Sequence, residues 1–375
     1  MKIIVSGYVG RKITGIGRCL IETLNSIENE DLEFIVYTNY DMADDMSFTN
    51  PNVTVKYYGI SRNNPIGNLL WVTFVLPVMA LKENADEILI FNFTLLLFPI
   101  KKTIIYLHDM TEYRVPGKQT KLRMIYRKLF AIPISAKNAS RIITDSNSSK
   151  NDIMSILHVP EKKIKLIYPG IKRENFRKVS RLDALERLEG KNWAERFILF
   201  VGTMDHPGRN LVNLIHAFED LKESNRYDGS LVLVGGQGKG FEVIEKAILD
   251  SKYKDSIILP GYVTDLELEA LYSLCDVFCY LSLYEGFGLP PLEAIASGAK
   301  SIVSNTSSLP EAVGNVGFKV DPANIREIED TICKAIDTKI DEEYLGRVEE
   351  HLKKFSWKDG AHILENTIIE VKNNG

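Results

Sequence analysis

The stretch Glu285-Gly-Phe-Gly-Leu-Pro-Pro-Leu-Glu293 decides how this chain is read. An apolar run ends just before it, near Leu281, and the small-residue segment Ala294-Ile-Ala-Ser-Gly298 follows it. That order predicts a strand, a glycine turn and a helix. Gly286 and Gly288 allow close approach of the backbone to a ligand, and Pro290 and Pro291 suit a first helical turn. Amides at a helix N-terminus favour phosphate. Glu293, near the start of that helix, can accept hydrogen bonds from paired hydroxyls such as those of a ribose, and Glu285 stands just before the glycines. Either feature alone also fits an ordinary strand-to-helix turn whose carboxylate complements the helix dipole. Two glutamates eight positions apart, bracketing the glycines, point instead to a loop shaped for a diphosphate.

Outward from this stretch, short β-rich runs alternate with amphipathic ones, the pattern of parallel sheets with crossover helices. Strands are expected at 3–6, 33–38, 53–57, 88–91, 103–107 and 141–144, with helices at 15–27, 68–81, 120–137 and 148–157. A second series starts at Phe197-Ile-Leu-Phe-Val-Gly202, with strands at 230–235, 257–259, 277–281 and 300–304 and helices from Leu211, Phe241, Leu266 and Leu289. The chain's 375 residues exceed the usual span of one core, so two domains are expected. The fold class is α/β, with two doubly wound Rossmann-like domains facing a cleft. Residues 1–175 are expected to form the first domain and 176–355 the second, with a polar linker over 172–196. A last helix within 356–375 is expected to pack back on the first domain.

Hydrophobic residues at 45% and charged residues at 26% exclude a disordered chain. Four cysteines without a CxxC pair exclude a disulfide scaffold and fit reduced, buried thiols in a cytoplasm. Met1-Lys-Ile-Ile-Val-Ser-Gly7 runs straight into a strand and lacks the features of a secretory signal. The apolar stretches 69–81 and 88–100 are interrupted by Pro77 and Asn92 and fall short of a membrane span, so both are expected as buried core elements. Residues 1–175 hold 23 basic against 17 acidic groups and the remainder 23 against 33, so the halves carry opposite net charge.

The Glu285 to Glu293 segment resembles the Glu-x7-Glu signature of glycosyltransferase family 4, and Val303-Ser-Asn-Thr-Ser-Ser-Leu-Pro-Glu311 resembles the strand and loop that follow it there. The likeness runs over nearly the whole chain and is strongest to bacterial mannosyl- and rhamnosyltransferases of polysaccharide assembly. It implies the GT-B fold, with 1–175 as the acceptor-side domain and 176–355 as the nucleotide-sugar domain, and a retaining transfer of a hexose from a nucleotide-sugar donor, GDP-mannose first, to a glycan or lipid-linked glycan. It also implies site residues. Glu285, Gly286, Phe287, Gly288, Leu289 and Glu293 would hold the donor, and Gly15 and Gly17, in Thr14-Gly-Ile-Gly-Arg18, would border its diphosphate. His108, at the end of a strand, would contact the sugar, with Asp109 able to orient it. Thr203 and Arg209 would lie in the loop that neutralises the leaving group. The family usually has adjacent Arg and Lys there, whereas this chain has Gly208 and Arg209, so one cation is missing and Arg209 must carry most of the charge. Lys239, in a glycine loop, is a further candidate or only part of a turn. Tyr262 and Val263 match the segment that touches the nucleobase.

No strand-ending DxD and no His/Cys set at ligand spacing is present, so neither a metal nor another cofactor is expected. Residues 114–141 contain eight basic and no acidic residues, interleaved with Met124, Ile125, Tyr126, Leu129, Phe130 and Ile132. Such a helix can lie on the anionic inner face of a cell membrane or present a solvated basic face. Nucleic acid is not expected, because no binding motif accompanies the charge. The alternatives within reach are another GT-B activity, such as a nucleotide-sugar epimerase or a phosphorylase, and a non-catalytic sugar-nucleotide-binding subunit at the membrane. A dehydrogenase fails because Leu20 replaces the third glycine of GxGxxG.

Overall fold

A computed structural model describes residues 1–10, 15–92, 94–115, 120–189 and 193–373, and these divide into two compact units, Met1–Gly170 with Phe355–Gly375, and Ile171–Lys354. In the first, strands β1 (Lys2–Ser6), β2 (Glu33–Asn39), β3 (Val53–Tyr58), β4 (Glu87–Ile90), β5 (Lys102–Tyr106), β6 (Arg141–Thr144) and β7 (Ile164–Leu166) pair in the order β3-β2-β1-β4-β5-β6-β7. All neighbours are parallel, with Ile4 of β1 opposite Ile35 on one side and Ile88 on the other. Both faces are covered, so Ile3, Ile4, Val5, Phe34, Leu89 and Ile143 lose essentially all contact with solvent.

The helix Trp357–Asn373 completes this unit. Its Ala361, Leu364, Ile368 and Val371, three or four apart, join the core of β1, β4 and β5. Glu370 pairs with Arg141 at 2.7 Å and Lys165 at 2.9 Å, and Glu365 accepts the backbone N–H groups of Glu28 and Asn29 at 2.8 and 2.9 Å.

The helical run Pro65–Lys82 departs from the expected buried element. Trp71, Val72, Leu76 and Ala80 are buried, but Ile66, Leu70, Phe74, Val78 and Leu81 are exposed. A π-turn over Trp71–Val75 interrupts it. Among the described residues it is the one helix long and apolar enough to cross a membrane.

In the second unit, β8 (Phe197–Val201), β9 (Ser230–Val234), β10 (Ile257–Gly261), β11 (Val277–Tyr280), β12 (Ser301–Ser304) and β13 (Phe318–Val320) pair in the order β10-β9-β8-β11-β12-β13, again parallel. Residues 172–196 are more than a linker. They belong to this unit and carry the helix Arg181–Arg187, whose buried Ala184 faces the core and whose Arg187 pairs with buried Glu269.

Candidate active site

In both sheets the central strand sends its connection one way and its neighbour sends its own the other way. The loops after the two strands therefore part, and the space left there is where open α/β sheets bind ligands. In the second unit the parting strands are β8 and β11. The loops that follow them are tied together by the Leu283 N–H, which donates to the Gly208 carbonyl at 2.9 Å.

Arg209 reaches across that tie. Its Nη1 donates to the Tyr280 hydroxyl at 2.6 Å and to Ser282 Oγ at 3.3 Å, its Nε lies 3.3 Å from Asp205 Oδ2, and it forms an ion pair with Glu285. The guanidinium also sits over the Tyr280 ring, 5.4 Å from its centre. A planar fork of donors suits this multiple grip better than a lysine would. Gly208 makes room for it: a Cβ there would run into the Asp205 carboxylate.

The glycine loop is held from the β12 side. Ser307 Oγ accepts the Glu285 N–H at 3.0 Å, Ser308 Oγ donates to the carbonyls of Glu285 and Phe287 at 3.0 and 2.7 Å, and Thr306 Oγ1 donates to that of Leu283 at 3.1 Å. Gly288 caps the helix Leu289–Ala296 at φ 113°, a conformation that disfavours side chains, and a Cβ there would stand 2.8 Å from Leu309. Phe287 is buried beneath the loop and Leu289 is half-buried. Glu293, the fifth residue of the helix, is only 6% exposed and its Oε2 accepts from the Tyr272 hydroxyl at 3.4 Å.

The loops after β8 and β9 zip together. Met204 N–H donates to the Gly236 carbonyl at 2.9 Å, Gly238 N–H to Met204 at 3.0 Å and His206 N–H to Lys239 at 2.9 Å. Exposed Lys239 is thereby carried beside the Arg209 loop, and exposed Thr203 lies at its start. Tyr262, 73% exposed after β10, lies with its hydroxyl end against Gly236, and half-buried Val263 follows it.

In the first unit, Gly15 opens the helix Gly15–Asn25 and Gly17 is buried in its first turn, while Thr14 lies outside the described residues. His108 is buried with both ring nitrogens engaged, Nδ1 with Asp145 Oδ2 at 2.6 Å and Nε2 with the Phe91 carbonyl at 2.8 Å. A carboxylate and a carbonyl only accept, so both nitrogens carry hydrogen and the ring is assigned as a cation. Burial works against that charge, but the Asp145 carboxylate outweighs it and holds the His108 pKa above its ordinary value.

Two model-family matches give these sites a lineage. Residues 184–351 match the family described as glycosyl transferases group 1, and residues 13–175 match glycosyltransferase family 4. The chain belongs to glycosyltransferase family 4. It is 29% identical over 262 residues to the O-antigen chain mannosyltransferase B of Escherichia coli, a match covering 69% of this chain and 68% of the relative. It is 24% identical over 374 residues to the O-antigen chain mannosyltransferase RfbU of Salmonella typhimurium, covering 97% and 98% of the two. Among solved structures, the sucrose-phosphate synthase of Thermosynechococcus elongatus superposes with a TM-score of 0.76 at 17% identity, covering 100% of both chains. The two sheets are thus those of the GT-B fold, and the protein is an enzyme of the glycosyltransferase class.

In this glycosyltransferase the structure gathers Arg209, Glu285, the Gly286–Gly288 loop and Lys239 at one strand edge. Two sequence expectations change. His108 has no ring nitrogen left for a sugar in this conformation, and its orienting partner is Asp145. Asp109 instead accepts the Thr111 N–H at 2.8 Å. Asp145 and Asp205 were missed; each follows a strand end within a few residues, the position at which an acidic side chain signals a site. Cys19 joins His108 and Asp145 in a buried cluster whose donor atoms lie within 4.8 Å of one another. These are metal-ligand types, but Nδ1 is already bonded to Asp145, and burial keeps the Cys19 thiol protonated by pushing its pKa well up.

The basic run 114–141 is also less free than its composition implies. Arg127 pairs with Glu112 at 2.6 Å, both largely buried, Arg114 pairs with Asp152, and Arg141 with Glu370. Arg123 and Lys137 are exposed and Lys128 is half-buried; Lys118 lies outside the described residues.

Proposed function

We propose that the enzyme transfers a hexose, mannose first, from a nucleoside diphosphate to a glycan or lipid-linked glycan of a cell-surface polysaccharide, with retention of anomeric configuration. The observation that carries the donor half is Arg209, gripped by Glu285, Asp205, Tyr280 and Ser282 directly beside the Gly286–Gly288 loop. Mannose and polysaccharide assembly are supported by the names of two relatives, both O-antigen mannosyltransferases. GDP is the first choice of nucleotide.

In this reading the Gly286 to Leu289 amides and Arg209 stabilise the charge that builds on the departing diphosphate. Glu293 accepts from the ribose hydroxyls, and Tyr262 and Val263 flank the base, with Thr203 and Lys239 near the phosphates. When diphosphate takes the guanidinium, Glu285 is released to accept from sugar hydroxyls as positive charge grows at the anomeric carbon. The acceptor oxygen attacks the face from which the diphosphate leaves. The bond from the anomeric carbon to the diphosphate breaks, the new glycosidic bond forms, and the departing oxygen takes the acceptor's proton. Neither glutamate becomes covalently attached. His108 serves as a positioning residue, and Gly15 and Gly17 border the donor. No metal or cofactor enters the chemistry.

A thermal-shift screen against GDP-mannose and UDP- and dTDP-sugars tests the donor, the largest stabilisation being expected with GDP-mannose. Turnover unchanged by EDTA supports the metal-free mechanism. A donor altered without an acceptor would move the reading to an epimerase, and binding without turnover to a non-catalytic subunit.

The proposal places the enzyme peripherally on the anionic cytoplasmic face of the cell membrane, through exposed Leu122, Ile125, Leu129 and Phe130 and the cations Arg123, Lys128 and Lys137. Arg123→Glu with Lys128→Glu should abolish sedimentation with phosphatidylglycerol vesicles; unchanged sedimentation refutes it.

A further inference from the structure

The Gly286–Gly288 loop has a support of its own. The short helix Leu309–Val313 lies directly behind it, since a Cβ on Gly288 would stand 2.8 Å from Leu309 and 3.6 Å from the Cβ of Ala312. Ser308, the residue before that helix, donates to the Glu285 and Phe287 carbonyls, and its own carbonyl accepts the Glu311 and Ala312 N–H groups at 2.9 and 3.1 Å. Leu309, Ala312 and Val313 are fully buried. In a close-packed interior, any shift of this helix therefore reaches the loop twice, through Ser308 and through the contact on Gly288.

What fixes the short helix comes from the helix Glu342–Leu352, whose buried face is Tyr344, Val348, His351 and Leu352. His351, 7% exposed, donates through Nε2 to the Ala312 carbonyl at 2.9 Å. That carbonyl falls in the last turn of a five-residue helix, where no N–H of the helix itself can reach it. The imidazole ring also fills the place of a Cβ on residue 314, and Gly314, at φ 53°, ends the short helix without one. Burial, with Lys354 and Lys319 adding to it, holds the His351 pKa below its ordinary value. The ring is thus neutral near neutral pH, with its hydrogen assigned to Nε2. A leucine would fill a buried position on this face with no polar group to satisfy. The histidine's donor goes instead to the element behind the donor loop.

We propose that His351 is a positioning residue for the donor loop: through Ala312 and Gly314 it fixes the helix Leu309–Val313, and that helix sets where the Gly286–Gly288 amides meet the diphosphate. The proposal rests on the donor reading above and adds to it a residue that acts on the loop only through another helix. Position matters because a hydrogen bond to an anion weakens steeply once its donor is turned away.

The test is calorimetric titration of the full chain with GDP, UDP and dTDP, the tightest of the three then being used on the variants. His351→Leu leaves the Ala312 carbonyl unpaired and should weaken that nucleotide about five- to tenfold, the scale of one lost buried hydrogen bond. His351→Gln places an amide donor near the position of Nε2 and should bring affinity back to within about twofold of wild type. Tyr344→Phe is the control. Its hydroxyl, on the same helix, donates to the Val316 carbonyl at 3.2 Å, beyond the short helix, so removing it takes away a comparable bond and should leave nucleotide affinity unchanged. Gly314→Ala pushes on the ring with His351 intact; it should weaken the nucleotide as His351→Leu does, and it carries the test if His351→Leu does not fold. Unchanged affinity in folded His351→Leu, or failing that in Gly314→Ala, overturns the proposal. So does the absence of recovery in His351→Gln, or a loss in Tyr344→Phe as large as that in His351→Leu, which marks general destabilisation. Those results leave the donor reading standing, whereas wild-type protein that binds none of the three nucleotides defeats the donor reading and this proposal with it.

Discussion

The two sheets share one strand order about their central strands, yet the space beside β1 and β4 and the space beside β8 and β11 have become different surfaces. Beside β8 and β11, glycines at 286 and 288 remove side chains, and Arg209 and Glu285 hold opposite charges in contact. In the first unit, His108 and Asp145 hold their charges buried, and the opening beside β1 and β4 is walled mainly by apolar helical side chains, with exposed Arg123 among them. The shared topology decides where a ligand can lie. The loop residues decide which chemistry it meets, because the loops after the strands are free of the pairing constraints that make the sheets alike.

The sharpest way to break this contrast is at Arg209. If the β8/β11 edge stabilises the leaving group, Arg209→Ala should lower kcat by about 10²–10³-fold; a drop under tenfold in steady-state transfer assays defeats that division of labour.

The second test concerns the buried charges of the first unit. Glu87 on β4 is 1% exposed, neither carboxylate oxygen has a hydrogen-bond partner among the described residues, and burial pushes its pKa up to about 8. A pKa raised on folding means that the native state holds the proton more tightly. Its stabilising contribution is therefore complete at acidic pH and is lost as pH rises through about 8. Stability should fall by about 2 kcal/mol between pH 6 and pH 8 from this group alone. His108, also raised, adds loss in the same direction above its ordinary range. Glu87→Gln should flatten most of the slope in urea titrations; an unchanged slope shows that Glu87 finds a partner in solution.

Glu293→Ala gives a smaller, differently placed effect. It should raise KM for the donor about tenfold, one lost charged hydrogen-bonding group, with kcat less affected; an effect on kcat alone moves Glu293 from the ribose to the reacting sugar. The smallest change is Gly208→Ala. Displacing Asp205 should loosen Arg209 and lower kcat severalfold without altering thermal stability, and a fully active variant would show that Asp205 has no part in orienting the guanidinium.

Much of this molecule was legible before any coordinates. Runs such as Phe197-Ile-Leu-Phe-Val201 announce buried parallel strands, and 11 of the 13 strands among the described residues follow from them. The two missed strands, β7 and β13, have three residues each, too few to show a pattern against neighbouring loops. The exposed half of Pro65–Lys82 was equally illegible, since an apolar residue looks the same whether it faces a core or an opening.

The sequence by itself determined the parallel α/β architecture, the glycine turn between Glu285 and Glu293, and the family, because strand periodicity, backbone freedom and motif spacing are local properties. Only the tertiary structure decided which charges meet. Arg209 finds Glu285 seventy-six positions away, His108 finds Asp145 rather than its neighbour Asp109, and Arg127 is consumed by Glu112 instead of facing solvent. Pairing of charges depends on distance in space, which the crossovers of a parallel sheet set without regard to distance along the chain. The opening segment thus fixed where to look, and the fold fixed what Glu285 holds there.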